Sequence, residues 1–476
     1  MVACGDTSGL VAAVAGANGS AGPTTITLAK NCTYVLNAPA VPGGNDGLPV
    51  IVTTLTINGN GSTIARSAAP STPNFRIIEI GIPNGPGGVP AGKLGSLTLN
   101  DLTVTGGRIA GIQDESESSA GGDSGYGGGI LVKKLSNSVG SSLVLNHVTV
   151  SHNSASDGHR RAASFEEGTK GGGVAISVGR ATITDSTISD NTASDALGGY
   201  SAGGGIANTD GTLVIRRSRI AGNHSVANGF PIGAYAGAVE SDSRLFFHAV
   251  STTIEDSVIA GNDVTGIAVV GSAIDSQREF VLTCTVIAGN VASASGDNSP
   301  QDCVLKVTAC NSGSAYAEAA VVNQGHMVIT DSLITANRAT ATGSPHALVE
   351  SAGFMNSGGF APVGSFLVVP GKAEVVRTLI VGNVAIATGS GAETRGAGIA
   401  NTDQGLLDIQ GGIVSGNTTS LGTNPHGGGI DNYVRPKLEH PELGRVLGTV
   451  ALHGTTVTRN SPHNCEPLNS IAGCSG

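Results

Sequence analysis

In two neighbouring copies of a repeat a carboxylate takes the same position, and another carboxylate stands close to that position in the next copy. In the 476-residue sequence a glycine-led segment returns many times, with an apolar residue that reads Ile130, Val174, Ile206, Val239, Ile274, Val321, Phe354, Ile399 and Ile430. The residue after it is Leu131, Ala175, Ala207, Glu240, Asp275, Val322, Met355, Ala400 and Asp431. Consecutive copies thus place Glu240 and Asp275 side by side, and Glu318 stands three residues before Val321 in the next copy. Equivalent residues of stacked strands lie roughly 4.8 Å apart. Like charges at that range raise at least one pKa, which is how a carboxyl stays protonated near neutrality. Such a set suits glycoside cleavage. Glu240 and Asp275, about 5 Å apart, match an acid/base and nucleophile pair of the retaining kind, whereas Glu240 and Glu318 at roughly 9–10 Å are at the wide end for inversion. Glu318 is read as a modulator or an alternative base.

The surroundings of these residues favour the same place. The glycine pattern breaks in their copies, and the loops at 154–170, 224–235, 291–315 and 338–347 are long. Tyr126, Tyr200, Tyr235, Tyr316 and Tyr433 fall at the edges of the glycine segment, leaving Tyr34 elsewhere, and Arg244, Arg278, Glu279, His346 and Glu350 lie within a few residues of it. Loops and aromatics on one side of a rigid scaffold are where solenoids bind ligands. Tyr235, Arg244, Arg278, Tyr316, His346 and Glu350 are therefore the expected substrate-binding set. A lyase version of the chemistry would use Tyr235, Tyr316 or His346 as base, with Arg278 on a substrate carboxylate. Three other readings stand beside these. The acids could simply keep an outer face soluble, they could bind Ca²⁺, which prefers several oxygens, or the long face could serve adhesion without catalysis. No other cofactor is called for. Absence of Trp counts against a sugar-stacking platform, which the tyrosines partly answer.

A solenoid is what would position such residues. Ala181-Thr-Ile-Thr-Asp-Ser-Thr-Ile-Ser-Asp-Asn191 recurs as Leu213-Val-Ile-Arg-Arg-Ser-Arg-Ile-Ala-Gly-Asn223 and in six further copies that close on Asn. Gly127-Gly-Gly-Ile130, Gly171-Gly-Gly-Val174, Gly203-Gly-Gly-Ile206 and Gly427-Gly-Gly-Ile430 mark the second element of the unit. β-branched residues alternate with polar ones, as half-buried strands require, and one coil buries its apolar face only by stacking on the next. The pattern predicts an all-β, right-handed parallel β-helix of about eleven coils, each with three short strands. The recurring asparagines, Asn208, Asn323, Asn356, Asn401, Asn432 and the closing set, are expected to form ladders whose amides bond the next coil. Residues 1–60 would be an N-terminal cap and entry coil with a short helix over Asp6 to Ala15, residues 61–460 the β-helix, and residues 461–476 a disulfide-closed tail.

Composition narrows the partners. Glycine is frequent at 73 residues, Trp is absent, and no apolar run is long enough to span a membrane. A net charge of −10 argues against nucleic acid, which needs clustered Lys and Arg. A polysaccharide or oligosaccharide is the expected partner. Cys4 and Cys32 bracket the N-terminal segment and Cys465 and Cys474 a C-terminal loop, reading as staples made in an oxidising compartment. Cys303 and Cys310 share an insertion, which leaves Cys284 over, either free or competing for Cys310. Met1-Val2-Ala3 before Cys4 reads as a start placed where a signal peptide was removed. Asn31-Cys-Thr33, Asn223-His-Ser225 and Asn417-Thr-Thr419 match a glycosylation sequon but read as ladder and turn residues.

The Gly-Gly-Gly-Ile-x-Asn and Ser-x-Ile-x-x-Asn units resemble the bacterial right-handed β-helix families that include polymorphic outer-membrane protein repeats and choice-of-anchor secreted proteins. The ends Cys4…Leu28-Ala-Lys-Asn-Cys32-Thr-Tyr34 and Asn464-Cys465…Gly473-Cys474 look like those of actinobacterial members. This resemblance spans nearly the whole chain and implies the fold and an extracellular protein, released because no translocator or sorting motif follows residue 476. It implies almost nothing about activity.

Overall fold

Short β-branched runs and tight turns make almost the whole chain strand. In the computed structural model the described residues are 1–82, 92–111, 125–136, 139–157, 168–196, 200–227, 233–242, 251–296, 315–344, 346–360, 368–420, 424–434 and 447–476. Their fold is the right-handed parallel β-helix that the repeat predicts. The chain forms two compact units, residues 1–225 with 243–252, and residues 226–242 with 253–476.

The first unit opens with one helix, Thr7–Asn18. Asp6 caps it by accepting a 2.8 Å hydrogen bond from the Gly9 amide, and Leu10, Val14 and Ala17 are its buried residues. It begins where the sequence suggests and runs three residues past Ala15. A disulfide joins Cys4 to Cys32. Ser96–Thr105 pairs in parallel with Thr54–Arg66 on one side and Ser142–Ser151 on the other. Along it Leu97, Leu99, Leu102 and Val104 are buried while their neighbours face outward.

One turn of the second unit shows the coil plan. From Ile274–Ser276 the chain passes to Glu279–Thr283, Val286–Ala288 and Val291–Ser295, then to Ala315–Glu318 before the next coil starts at Val321–Asn323. Each strand pairs in parallel with its counterpart one coil on: Ile274 with Val321, Phe280 with Met327, Ile287 with Ile334, Ala292 with Ala339, and Ala315 with Ala347. Glu279–Thr283 and Val286–Ala288 belong to one broad sheet, so a turn visits three long sheets. A fourth, shorter ladder, with Ala268–Val270, Ala315–Glu318, Ala347–Glu350 and Ala392–Arg395, is the element the sequence reading lacks. It stands in the variable loop, where no motif recurs. Small residues such as Ala292, Ala315, Ala317 and Ala339 pack behind it.

Between the two strands of the broad sheet the chain turns at a left-handed residue: Asp185 and Arg217 in the first unit, and Asp256, Cys284, Asp331 and Arg377 in the second. Their side chains face outward, where Arg217 grips Asp185 (2.9 and 2.8 Å) and Arg377 grips Asp331 (2.7 and 2.6 Å). Arg217 is thus a surface residue that ties one coil to the previous one. Cys284 is exposed and in no disulfide. Cys303 and Cys310 lie outside the described residues, and Cys465 is bonded to Cys474.

Asparagine ladders hold the coils in register. In the second unit the closing residues run Asn262, Asn290, Asn337, Asn383, Asn417 and Asn460, each donating from Nδ2 to the next residue's Oδ1 at 2.9–3.0 Å. The same oxygen accepts the preceding asparagine's backbone amide, and from Asn290 onward each Nδ2 also reaches a carbonyl, as Asn337 does at Ile287 (3.1 Å). A second ladder links Asn323, Asn356, Asn401 and Asn432. The glycines serve these amides: a Cβ on Gly398 would stand 2.8 Å from Nδ2 of Asn417. Asn223 and Asn417 are fully buried ladder residues, as expected, so their sequons are inaccessible. Asn337→Ala would strand backbone and side-chain groups on both neighbouring coils. We expect it to cost about 2–4 kcal/mol in chemical denaturation, and a loss below about 0.5 kcal/mol would deny the ladder its structural role.

Candidate functional site

The fourth ladder and the glycine-side sheet of the second unit meet at a corner, and each lines it with one row of side chains. Along the glycine side the row is Glu240, Asp275, Val322, Met355, Ala400 and Asp431, paired coil to coil. Along the fourth ladder Tyr235 pairs with Val270, and Glu318 with Glu350 and then Arg395. Val270, Ala319, Val322, Met355, Ala400 and Tyr433 form one apolar cluster between the rows, with Tyr235 packed against it. An apolar seam therefore runs through the corner, with acids at both ends and in the middle.

Burial is the main departure from expectation. The sequence suggests carboxylates rising from an open glycine floor, yet Glu240, Asp275, Glu318 and Glu350 are all 3 % exposed or less. They point away from the solenoid interior as expected, but the facing row turns that floor into a closed corner. Tyr235 and Tyr316 remain half-buried at its edge. The aromatics are less exposed than expected: Tyr433 is buried, as are Tyr126 and Tyr200 in the first unit.

Hydrogen bonds knit the middle of the corner. The Tyr316 hydroxyl lies within bonding distance of both Glu318 Oε1 and Glu350 Oε2, and Tyr433 donates to Glu350 Oε1. Arg395 stacks on the Tyr433 ring, 4.2 Å from its centroid, and reaches Glu393 and Asp431, the latter at 3.5 Å. His426 stands 3.7 Å from Glu393. Burial pushes the Asp431 carboxyl up to about 7, with Glu466 and Glu350 adding to the rise and Arg395 opposing it. The Tyr235 phenol is pushed well above its ordinary value, first by burial and then by Asp275, Glu318, Glu240 and Asp242.

The other expected residues divide. Glu350 lies within the corner and Tyr316 at its edge. Arg278 is half-buried on the turn that leaves Ile274–Ser276, on neither row. His346 is exposed just before Ala347–Glu350, and its carbonyl accepts from the Ala315 amide. Glu279 pairs with His326 at 2.9 Å on the outside of the broad sheet, away from the site. Arg244 lies outside the described residues. Sequence reading missed Arg395, Glu393 and His426. The signal was there: four residues before the inward apolar residue stand Tyr235, Val270, Glu350 and Arg395, and Glu318 fits once its coil is allowed one residue fewer. Among the described residues no group of three or more His, Cys, Asp or Glu is arranged to hold a metal ion, and no helix is long and apolar enough to cross a membrane.

No protein-family model matches the chain, and no curated protein matches it. Among solved structures, the A-module of the mannuronan C-5 epimerase AlgE6 of Azotobacter vinelandii is similar over 95% of this chain and 94% of its own, at 12% identity and a TM-score of 0.39. A mannuronic acid specific polysaccharide family 6 lyase from human gut microbiota covers 95% of this chain and 90% of its own, at 11% identity and a TM-score of 0.33. Likeness at this level concerns the general fold and not the chemistry.

Asp431 gives the site a pH signature. Its folded pKa of about 7 lies above the unfolded value of 3.8, so the folded state holds the proton more tightly. The resulting stability is full below the unfolded pKa and is lost as pH rises from about 4 through 7. Asp46 in the first unit is raised similarly, again chiefly by burial, so the wild type must be compared with Asp431→Asn. Denaturation midpoints of the wild type should fall relative to the variant across that window and run parallel above it. Curves parallel throughout would contradict the shift.

Proposed function

We propose that this chain is a secreted carbohydrate-active enzyme that hydrolyses a polysaccharide or oligosaccharide. Glu240 and Asp275 serve as the acid/base and nucleophile pair and Glu318 as their modulator. The observation that carries the reading is the register, Glu240 directly opposite Asp275 on adjacent strands, with both carboxyls buried in the same corner. Adjacent parallel rungs stand about 4.8 Å apart, which suits the roughly 5 Å of a retaining pair and leaves no room for the water of an inverting one. The disulfides Cys4–Cys32 and Cys465–Cys474 suit an oxidising, extracellular setting.

The electrostatics weigh against the lyase version. A base must lose its proton, and the Tyr235 phenol is held protonated by burial and four carboxylates. The Tyr316 hydroxyl is already engaged with Glu318 and Glu350.

A panel of neutral and acidic polysaccharides, assayed for new reducing ends, tests the reading. Glu240→Gln and Asp275→Asn should each lower kcat/KM on the responding substrate by about 10²–10⁴-fold. Undiminished activity in both variants would remove the site assignment, and a responding substrate whose products carry unsaturated ends would replace hydrolysis by elimination.

A further inference from the structure

The column that holds Glu240 and Asp275 carries a second stacked pair of acids. In the glycine-side sheet Ile430–Tyr433 pairs in parallel with Cys465–Glu466, which sets Asp431 directly opposite Glu466 on adjacent strands. Side chains at paired positions of parallel strands point to the same side, and the rungs stand about 4.8 Å apart. The disulfide from Cys465 to Cys474 ties down the shorter strand. Gly427 leaves room for the acid upon it, because a Cβ there would stand 2.9 Å from that of Glu466.

This pair differs from the first in access and in surroundings. Asp431 is 1 % exposed, whereas Glu466, Arg395, Glu393 and His426 are half-buried. Asp431 Oδ2 lies 3.5 Å from Arg395, and among the described residues its buried Oδ1 has no hydrogen-bond partner. His426 follows Arg395 on the facing wall, its amide donating to the Thr394 carbonyl at 2.8 Å. A buried acid pushed up to about 7 beside a half-exposed carboxyl is the division of roles a retaining glycosidase needs. One group holds a proton and its neighbour takes the anomeric carbon. Among the described residues no strand follows Glu466 in this sheet, so the wall continues from the pair in one direction only, toward Ala400. The end of a glycan fits such a place better than the interior of a polymer.

We propose that Asp431 and Glu466 are a second catalytic pair, separate from Glu240 and Asp275, which removes a terminal sugar from a short oligosaccharide with Asp431 as acid/base and Glu466 as nucleophile. Asp431 gives its proton to the glycosidic oxygen as the C–O bond breaks, and a Glu466 oxygen bonds the anomeric carbon. Water then attacks that carbon, its proton passes to Asp431, and the Glu466 carboxylate is released. The role of this pair does not rest on the one given above to Glu240 and Asp275.

Covalent trapping locates the nucleophile in the wild type and so does not depend on any variant folding. The protein is incubated with the α and β anomers of 2-deoxy-2-fluoro glucosyl, galactosyl and mannosyl fluorides, and its peptides are mapped by mass spectrometry. At least one probe should leave a fluorosugar ester on Glu466. On aryl glycosides of the same sugar, Asp431→Asn should lower kcat/KM by about 10²–10⁴-fold for a phenol leaving group. The loss should be far smaller for dinitrophenol, which departs without a proton. An ester on Glu240 or Asp275 and none on Glu466 would overturn the inference while supporting the first pair. Esters on Glu466 alone would support it and count against the first pair. A protein that no probe labels would overturn it outright, and an equal loss on both leaving groups would take the acid role from Asp431.

Discussion

Everything in this solenoid depends on one constraint: a side chain on one coil meets its own counterpart on the next at the spacing of a β-sheet. For apolar residues this gives continuous rows such as Ile287 on Ile334 and Val321 on Phe354. For polar residues it is exacting, because a buried amide must find its partner in the residue directly above or below. Asparagine meets the demand with one donor group and one acceptor, so it repeats indefinitely. A carboxylate does not. Two stacked acids need a proton, a cation or a donor between them, and the corner of the second unit supplies the tyrosines and Arg395 for that purpose.

The same constraint converts sequence alignment into distance. Glu240 and Asp275 occupy one column, so their separation follows from the pairing of Val239 with Ile274. The apolar residues that follow them in the column, Val322, Met355 and Ala400, separate these two acids from Asp431. The corner is thus an acidic end, an apolar seam and an Arg395–Asp431 end, rather than an even charged surface.

The repeat made much of this legible. Asn223 and Asn417 close their segments as Asn191 does, which marks all three as ladder residues. The pairing column that holds Glu240, Asp275 and Asp431 was equally visible. What stayed hidden was the fourth ladder. Its strands, such as Ala234–Tyr235 and Ala392–Arg395, are short, carry no recurring glycine or asparagine, and sit among loops of unequal length. Without it Glu350 and Arg395 had no wall to belong to, and the acids looked exposed. Arg278 and His346 were chosen by nearness in sequence, which a solenoid turn quickly converts into distance around the coil.

If Glu240 and Asp275 hydrolyse a glycoside as an adjacent-coil pair, as proposed, stereochemistry reports on their spacing most directly. On a substrate found to respond, proton NMR of the first-formed product should show the anomeric configuration of the cleaved bond retained, as carboxyls roughly 5 Å apart require. First-formed product of the opposite anomer would contradict it, because inversion needs a water between carboxyls that adjacent coils hold too close together.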